Sequence, residues 1–310
     1  MATAPHRHET ALLVVIAMLA FAGNSLLCRL ALKTTSLDPT SYTTARLLAG
    51  AAMLWLLQRW RERAAATKLP TSALPIASKL GGDWVSAAAL FVYAALLSWS
   101  YGGMSTATGA LLLFGAVQAS MIGWGLYRGE RFTPLQWGGL LLALAGLVVL
   151  MLPGLAAPAW SDSLAMLGSG VAWGVYSLRG KRPGPDGRAP DPTRATAGNF
   201  VRTVPMALLL SVFAWQQIRL DTTGLWLAVT SGALTSGLGY AIWYRALPAL
   251  QATQAASIQL CVPVLAAVGG VLFVNEAFTL LLGVSSVAIL GGIGLVLRQQ
   301  RAQSRTIPGK

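Results

Sequence analysis

The sequence has long stretches without any charged side chain. Residues 84–127 contain no Asp, Glu, Lys or Arg. Six further stretches lack all four residue types: 10–28, 132–161, 203–218, 222–244, 246–275 and 277–297. A soluble domain needs these residues on its outer faces, because they are almost never buried without a partner. The absence therefore excludes an ordinary soluble fold and predicts a polytopic membrane protein.

Charged residues make up only 11% of the chain and hydrophobic residues 55%, whereas an ordinary globular domain is roughly 25% charged. A helix crosses the hydrocarbon core with about 20 apolar residues, so 310 residues accommodate about ten spans. We expect an all-α integral membrane fold of ten transmembrane helices. The spans are predicted at about 11–32, 41–58, 83–99, 103–126, 135–153, 162–178, 198–215, 223–244, 249–273 and 278–297.

The groups that enzymes use are also scarce within the spans. Both histidines lie in the amino-terminal tail, and Cys28 and Cys261 have no metal-ligand spacing. None of the ten acidic residues falls in the middle of a span, and no nucleotide-binding glycine-rich loop is present. We therefore expect no metal, no cofactor, no enzymatic activity and no obligatory proton coupling through a buried carboxylate. A receptor is disfavoured because the connector at 179–197 is too short for a soluble domain.

The net charge of +13 has a topological explanation. If the amino terminus is inside, 18 of the 23 Lys and Arg residues lie on the inner side, as the positive-inside rule requires. Both termini are then cytoplasmic. Because the basic residues lie in short loops, no nucleic-acid partner is expected. The cations assigned to the outer side are all placed near helix ends: Arg29, Lys33, Arg46 and Arg219.

The chain contains an internal repeat. Glu130-Arg131-Phe132-Thr133 recurs as Glu276-Ala277-Phe278-Thr279, and Gly146 falls on Gly292 at the same spacing. Five spans per copy is an odd number, so the two copies must lie upside down relative to each other. Inverted repeats of this kind are characteristic of secondary transporters. The predicted copies are residues 1–155 and 156–310.

Three motifs recur in the two halves. They are the apolar-Trp-Gly string at Trp173 (Phe21-Ala22-Gly23 in the first half, which lacks the tryptophan), an arginine opening the second helix (Arg46, Arg202) and a glutamate turn (Glu130, Glu276). This pattern resembles the drug/metabolite transporter superfamily, in particular its ten-helix EamA-type members, over nearly the whole chain. The resemblance implies export of small metabolites by alternating access through a cavity lined by helices 1, 3, 4, 6, 8 and 9, with helices 5 and 10 at the sides.

Candidate substrate-binding residues are the aromatic and amide side chains inside the spans. A buried Tyr or Trp needs a partner for its polar atom, and its ring stacks on aromatics or holds an ammonium group. An amide hydrogen-bonds both ends of a zwitterion, although core packing and helix–helix contacts remain the alternative explanation. The candidates are Asn24, Tyr93, Trp99 (interfacial residue or outer gate), Gln118, Trp173, Tyr176, Tyr240 and Gln259.

Among the resembling proteins, the aromatic interior is most similar to bacterial exporters of aromatic and other neutral amino acids. This implies a location in the bacterial cytoplasmic (inner) membrane. A nucleotide-sugar or drug exporter of the same fold is the alternative, but phosphate-bearing substrates require cations in the cavity, and none is predicted in the middle of a span. The expected partners are a small-molecule substrate and the lipid bilayer. The sequence leaves the oligomeric state open, a monomer included.

Overall fold

The computed structural model describes residues 7–66, 81–129, 133–151, 158–180, 191–246, 250, 258–259 and 261–306. In this part of the chain ten helices are present, so the all-helical fold predicted from the sequence is confirmed. They are α1 (Arg7–Thr34), α2 (Pro39–Ala66), α3 (Trp84–Tyr101), α4 (Thr106–Tyr127), α5 (Pro134–Met151), α6 (Trp160–Arg179), α7 (Pro192–Phe213), α8 (Thr222–Ala246), α9 (Cys261–Val274) and α10 (Leu280–Thr306).

Five of these helices are long and apolar enough to cross a membrane by length and composition: α1, α3, α4, α7 and α8. The apolar stretches of α9 and α10, Cys261–Val274 and Leu280–Leu295, are shorter. Six tryptophans near helix ends are exposed on the outside of the bundle, as is typical of residues at a membrane interface: Trp60, Trp84, Trp137, Trp160, Trp215 and Trp226. Helix α2 continues to Ala66, beyond the predicted end at 58, because Arg, Glu and Ala favour helix past the bilayer.

Aspartates begin several of the helices. Asp83, Asp191 and Asp221 accept hydrogen bonds from backbone N–H groups in the first turns of α3, α7 and α8. Asp38 likewise accepts from the N–H groups of Thr40 and Ser41, both at 2.9 Å. A side-chain oxygen at this position satisfies an N–H group that has no partner within the helix. These four aspartates thus mark where their helices begin.

The two halves of the chain pack reciprocally. Helix α6 packs against α3 and α4, and α1 packs against α8 and α9, while α2 pairs with α7 and α5 with α10. If helices five positions apart in the chain are counterparts, the contacts of α6 with α3 and α4 correspond to the contacts of α1 with α8 and α9. The pairs α2–α7 and α5–α10 each join two counterparts. Two related five-helix copies are expected to pack in this way. The inverted orientation of the copies remains a prediction from the sequence.

Candidate functional site

Four aromatic side chains meet in the centre of the bundle. The ring centroid of Trp173 lies 4.8 Å from that of Tyr93, 4.9 Å from that of Tyr240 and 6.2 Å from that of Phe21. All four side chains are buried. They belong to α6, α3, α8 and α1, so both halves of the chain contribute. The lining of the cavity between them consists of Phe21, Asn24, Ser25, Tyr93, Leu113, Phe114, Trp173 and Tyr240.

The cavity is nearly closed in this conformation. Its free space for the centre of a water-sized sphere is about 10 Å³, which is roughly what one water molecule needs. An amino acid is far larger, so the helices around the cavity must separate before a solute of that size enters.

Close helix packing places Trp173 at this centre. A Cβ at Gly170 would meet the carbonyl oxygen of Leu113, and one at Gly174 would meet the hydroxyl of Ser120. Both contacts are made with α4, so the two glycines allow α6 to approach α4 closely. Two glycines four residues apart are typical of such close packing between membrane helices.

Asn24 is the polar centre of the cavity wall. Its Nδ2 donates to the hydroxyl of Tyr93 at 3.0 Å, and its Oδ1 accepts from the hydroxyl of Ser231 at 2.8 Å. The hydroxyl of Ser236 also donates to Oδ1 at 3.4 Å. Helices α1, α3 and α8 are therefore joined by one buried amide, which satisfies the hydrogen-bonding needs of a polar group at membrane depth.

Arg46, which lies near the start of α2 as expected, is a buried cation beside this wall, and this burial was not predicted from the sequence. It is 1% exposed. Its Nε donates to the hydroxyl of Ser236 at 3.1 Å, its Nη2 donates to the hydroxyl of Tyr93 at 3.3 Å, and its guanidinium carbon is 5.3 Å from the Tyr93 ring centroid. Its Nη1 has no hydrogen-bond partner in the described part of the chain.

A helix crossing explains how Arg46 is held there. A Cβ at Gly232 in α8 would meet the backbone carbonyl of Arg46, so only glycine allows α2 and α8 to cross this closely. Around Gly232, residues Ser231–Leu238 are π-helical. Such segments are rare and are frequent at functional sites. The π-helical segment carries both Ser231 and Ser236, whose hydroxyls bond Asn24 and Arg46.

The structure places the other predicted site residues outside the cavity lining. Tyr176 is buried beside Trp173, with ring centroids 5.5 Å apart. Gln118 is buried in α4, one turn beyond Phe114. Trp99 is 58% exposed on the outside of the bundle. Gln259 is half-buried in a short described segment before α9.

Several lining or supporting residues were not among the predicted candidates. Phe21 and Arg46 had been noted only as repeat motifs, and Ser25, Leu113, Phe114, Ser231 and Ser236 had not been singled out. The signals that could have found those two were the recurrence of Arg46 as Arg202 and the place of Phe21 in the string that corresponds to Ala172-Trp173-Gly174. The serines carry no comparable signal, because hydroxyls are common in helix–helix contacts.

A larger groove between α9 and α10 is a weaker candidate. It has a volume of about 1230 Å³ and is lined mainly by apolar side chains such as Val264, Phe278 and Val287. It opens on the outside of the bundle, and an open apolar surface suits lipid chains. A solute site needs a few convergent polar groups, which the inner cavity has. Among the described residues, no group of three or more His, Cys, Asp or Glu side chains is placed to hold a metal ion.

One end of the bundle is closed above the cavity by Glu276. Here the Nε of Arg29 lies 3.2 Å from Glu276 Oε1, and the backbone N–H of Thr106 donates to both carboxylate oxygens, at 3.0 and 2.8 Å. Arg29 Nη1 also donates to the carbonyl oxygen of Tyr101 at 2.8 Å. The preceding residue, Asn275, has φ 55°, a left-handed conformation that Asn tolerates and that turns the chain after α9. We call this region the Glu276 end.

The opposite end is closed by Asp83, at the start of α3. The Nη2 of Arg179 lies 2.9 Å from Asp83 Oδ1, and the backbone N–H of Asp83 donates to Asn199 Oδ1 at 3.0 Å. Arg202 Nη1 donates to the carbonyl oxygen of Gly81 at 2.7 Å. Partial burial raises the pKa of Asp83, but the hydrogen bonds from Ser86 and Arg179 outweigh it and hold this pKa below its ordinary value. We call this region the Asp83 end.

A helical membrane bundle with a central polar and aromatic cavity, closed at each end by its own network, has the architecture of a membrane transporter. A model of the EamA-like transporter family matches residues 160–298. The uncharacterized protein PA1977 of Pseudomonas aeruginosa is 50% identical over 289 residues, covering 93% of this chain and 94% of that protein. The chain belongs to the EamA-like transporter family. A solved crystal structure with 20% identity has the same fold, with a TM-score of 0.62 over 95% of this chain and 99% of its own.

Proposed function

We propose that the protein is a secondary transporter that exports aromatic and other neutral amino acids. The observation that carries this proposal is the buried cluster of Trp173, Tyr93 and Tyr240 beside Asn24. Ring faces stack on an aromatic side chain or attract an ammonium group. The amide of Asn24 matches the hydrogen-bonding groups of an amino acid without adding charge.

Two observations support alternating access between the ends. Each end is closed by its own arginine–carboxylate pair, Arg29 with Glu276 and Arg179 with Asp83. The cavity between them has no room for an amino acid. Opening one network at a time would expose the cavity to one side of the membrane only, as rocking of two repeats against each other requires.

The orientation is proposed from charge. Helix ends at the Asp83 end carry Arg59, Arg61, Arg63, Arg128, Arg179 and Arg245. By the positive-inside rule this end faces the cytoplasm, in the cytoplasmic membrane of a bacterium, and both termini lie on that side. A fluorescent protein fused after Lys310 should then be bright in cells, whereas a periplasmic phosphatase fused there should be inactive.

A nucleotide-sugar exporter of the same fold is the second candidate, and Arg46 favours it to a limited extent. In the described part of the chain, Arg46 is the one cation that bonds a cavity residue. A diphosphate carries at least two negative charges and generally needs several donors such as Arg and Lys. A solute with a single anionic group therefore matches this cavity better.

The transport step is proposed to follow the solute gradient. Proton-coupled carriers commonly hold a titratable carboxylate inside the membrane, and the lining of this cavity contains none. Transport in sealed vesicles should continue at an unchanged initial rate when a protonophore collapses the proton gradient. A fall to the rate of protein-free vesicles would contradict this part of the proposal.

The test of the substrate is uptake of labelled phenylalanine and tryptophan by liposomes that contain the purified protein. We expect saturable uptake above that of empty liposomes, and its loss in Trp173→Ala. Trp160→Ala is the matched control, because the same change is made on an exposed tryptophan at the start of the same helix. Absence of uptake of these and other neutral amino acids would contradict the substrate class.

A further inference from the structure

Arg46 carries a buried positive charge that lacks a counter-charge in the described part of the chain. Its guanidinium bonds only hydroxyl groups, those of Ser236 and Tyr93. The buried carboxylate of Glu276 is paired instead with Arg29. Charges are costly inside a membrane, and they are usually paired there or mark the path of a substrate. The Nη1 group of Arg46 is buried and has no hydrogen-bond partner among the described residues.

The surroundings of Arg46 hold more donors than acceptors. Three groups approach the single hydroxyl oxygen of Tyr93: Asn24 Nδ2 at 3.0 Å, Arg46 Nη2 at 3.3 Å and the Tyr240 hydroxyl at 3.4 Å. A phenolic oxygen is one donor with limited acceptor capacity. The last two distances are longer than ordinary hydrogen bonds, which measure about 2.7–3.2 Å for N–H···O and about 2.5–3.0 Å for O–H···O. These donors are therefore poorly satisfied by Tyr93 and would bond a better acceptor more strongly.

The cluster lies at the cavity wall. Tyr93, Asn24 and Tyr240 all line the cavity. Arg46 does not line it, but its guanidinium donates a hydrogen bond to the hydroxyl of Tyr93. An anionic group entering between these side chains would meet an amide N–H, two phenolic hydroxyls and a guanidinium. Arginine is well suited to this role, because its planar fork of donors matches a carboxylate.

We propose that Arg46, with Asn24, Tyr93 and Tyr240, binds the carboxylate of the transported solute. The substrate must then carry an anionic group, and the cluster discriminates against amines and uncharged aromatic compounds. The aromatic part of the solute packs against Trp173. This inference rests on the proposed function in taking the central cavity as the substrate site, and it names which end of the solute is recognised there.

The test compares four ligands that differ only in their charged groups. Phenylalanine has both groups, 3-phenylpropionate only the carboxylate, phenethylamine only the ammonium, and phenylalanine amide has its carboxylate neutralised. Binding to the purified protein is measured by calorimetry. We expect phenylalanine and 3-phenylpropionate to bind more tightly than the other two, by on the order of tenfold, which corresponds to one charge-assisted hydrogen bond.

Variants then assign the preference to Arg46. In Arg46→Gln the advantage of the carboxylate ligands should disappear, and in Arg46→Lys, which keeps the charge, it should persist in part. Arg63→Gln is the matched control, since it removes an exposed arginine from the same helix. The comparison of ligands on the unaltered protein needs no variant, so equal binding of acids and amines would overturn the proposal even if Arg46→Gln does not fold.

The outcomes separate this inference from the proposed function. Equal binding of acids and amines would overturn the role of Arg46 while leaving amino-acid export intact. Binding of 3-phenylpropionate without transport of any amino acid would keep the carboxylate site and overturn the export of amino acids. If none of the four ligands binds, both are overturned. If the preference for carboxylates survives in Arg46→Gln, another residue supplies it and the proposal fails.

Discussion

The two ends of the central cavity use the same chemistry in different surroundings. At the Glu276 end, the side chains of Arg29 and Glu276 are 13% and 8% exposed, and the carboxylate also accepts from the backbone of Thr106. At the Asp83 end, the side chains of Arg179 and Asp83 are 24% and 47% exposed. The first pair is largely shielded from water, and the second is partly solvated.

The difference in burial predicts which end opens more readily. Removing one partner of a buried ion pair leaves an uncompensated charge and costs about 3–5 kcal/mol, whereas exposed pairs contribute about 0–1 kcal/mol. We therefore expect substitutions to cost less at the Asp83 end, and we predict that this end, whose charged groups are already partly solvated, opens more readily. If this end faces the cytoplasm, the cavity opens first on the side where an exporter must collect its substrate.

The largest effect is expected from breaking the Glu276 end. Glu276→Ala leaves Arg29 buried without its carboxylate and removes two hydrogen bonds from the Thr106 N–H. We expect the free energy of unfolding in detergent to fall by about 3–5 kcal/mol. Glu276→Gln keeps the size of the side chain and an acceptor oxygen, so its loss should be smaller. A loss below about 1 kcal/mol in Glu276→Ala would show that this end is no stronger than an exposed pair.

Breaking the Asp83 end should have a smaller effect. Asp83→Ala removes both the N-cap of α3 and the pair with Arg179, and we expect a loss of about 1–2 kcal/mol. Asp191→Ala removes an N-cap from α7 and reports the cost of a cap by itself. The difference between the two variants then measures the Arg179 pair, which should be below about 1 kcal/mol. Equal losses in Asp83→Ala and Glu276→Ala would remove the distinction between the ends.

Access from the two sides sharpens the comparison. Ser25→Cys places a thiol in the cavity lining, in a chain whose native thiols are removed by Cys28→Ala and Cys261→Ala. A membrane-impermeant alkylating reagent should label it faster from the Asp83 side, by about tenfold for a 1.4 kcal/mol difference between the closures. Glu276→Gln should reduce that ratio. Faster labelling from the Glu276 side would reverse the proposed order of opening.

The smallest effect concerns pH. Because the pKa of Asp83 is lowered in the folded protein, its ionised form contributes stability that is fully present above its ordinary value of 3.8. That contribution is lost as the pH falls through the lowered pKa. The stability gap between the unaltered protein and Asp83→Asn should therefore be constant from about pH 7 to 5 and should close in stronger acid. A gap that already narrows near neutral pH would contradict the lowered pKa.

The sequence predicted the helices and part of the site. Runs without charge locate the spans because the bilayer imposes their length. Tyr93, Trp173, Tyr240 and Asn24 were found because deep aromatic and amide side chains are rare within such spans. These four side chains do meet in the structure.

The burial of Arg46 was not predicted because it depends on contacts distant in sequence. Its burial requires the close crossing of α2 and α8 at Gly232, and its partner Ser236 lies 190 residues away in a π-helical segment. Neither feature has a local sequence pattern. The position of Trp99 could not be predicted either. An aromatic residue near a helix end has the same sequence pattern whether it faces lipid or a cavity. In the structure Trp99 is exposed on the outside of the bundle.

The most direct test of the account is counterflow. Liposomes that contain the protein are loaded with unlabelled phenylalanine and diluted into a trace of labelled phenylalanine. A carrier that alternates between its ends should accumulate label transiently above equilibrium, with accumulation lost in Trp173→Ala and retained in Trp160→Ala. Absence of accumulation with the unaltered protein, or equal accumulation in both variants, would contradict transport of amino acids through the central cavity.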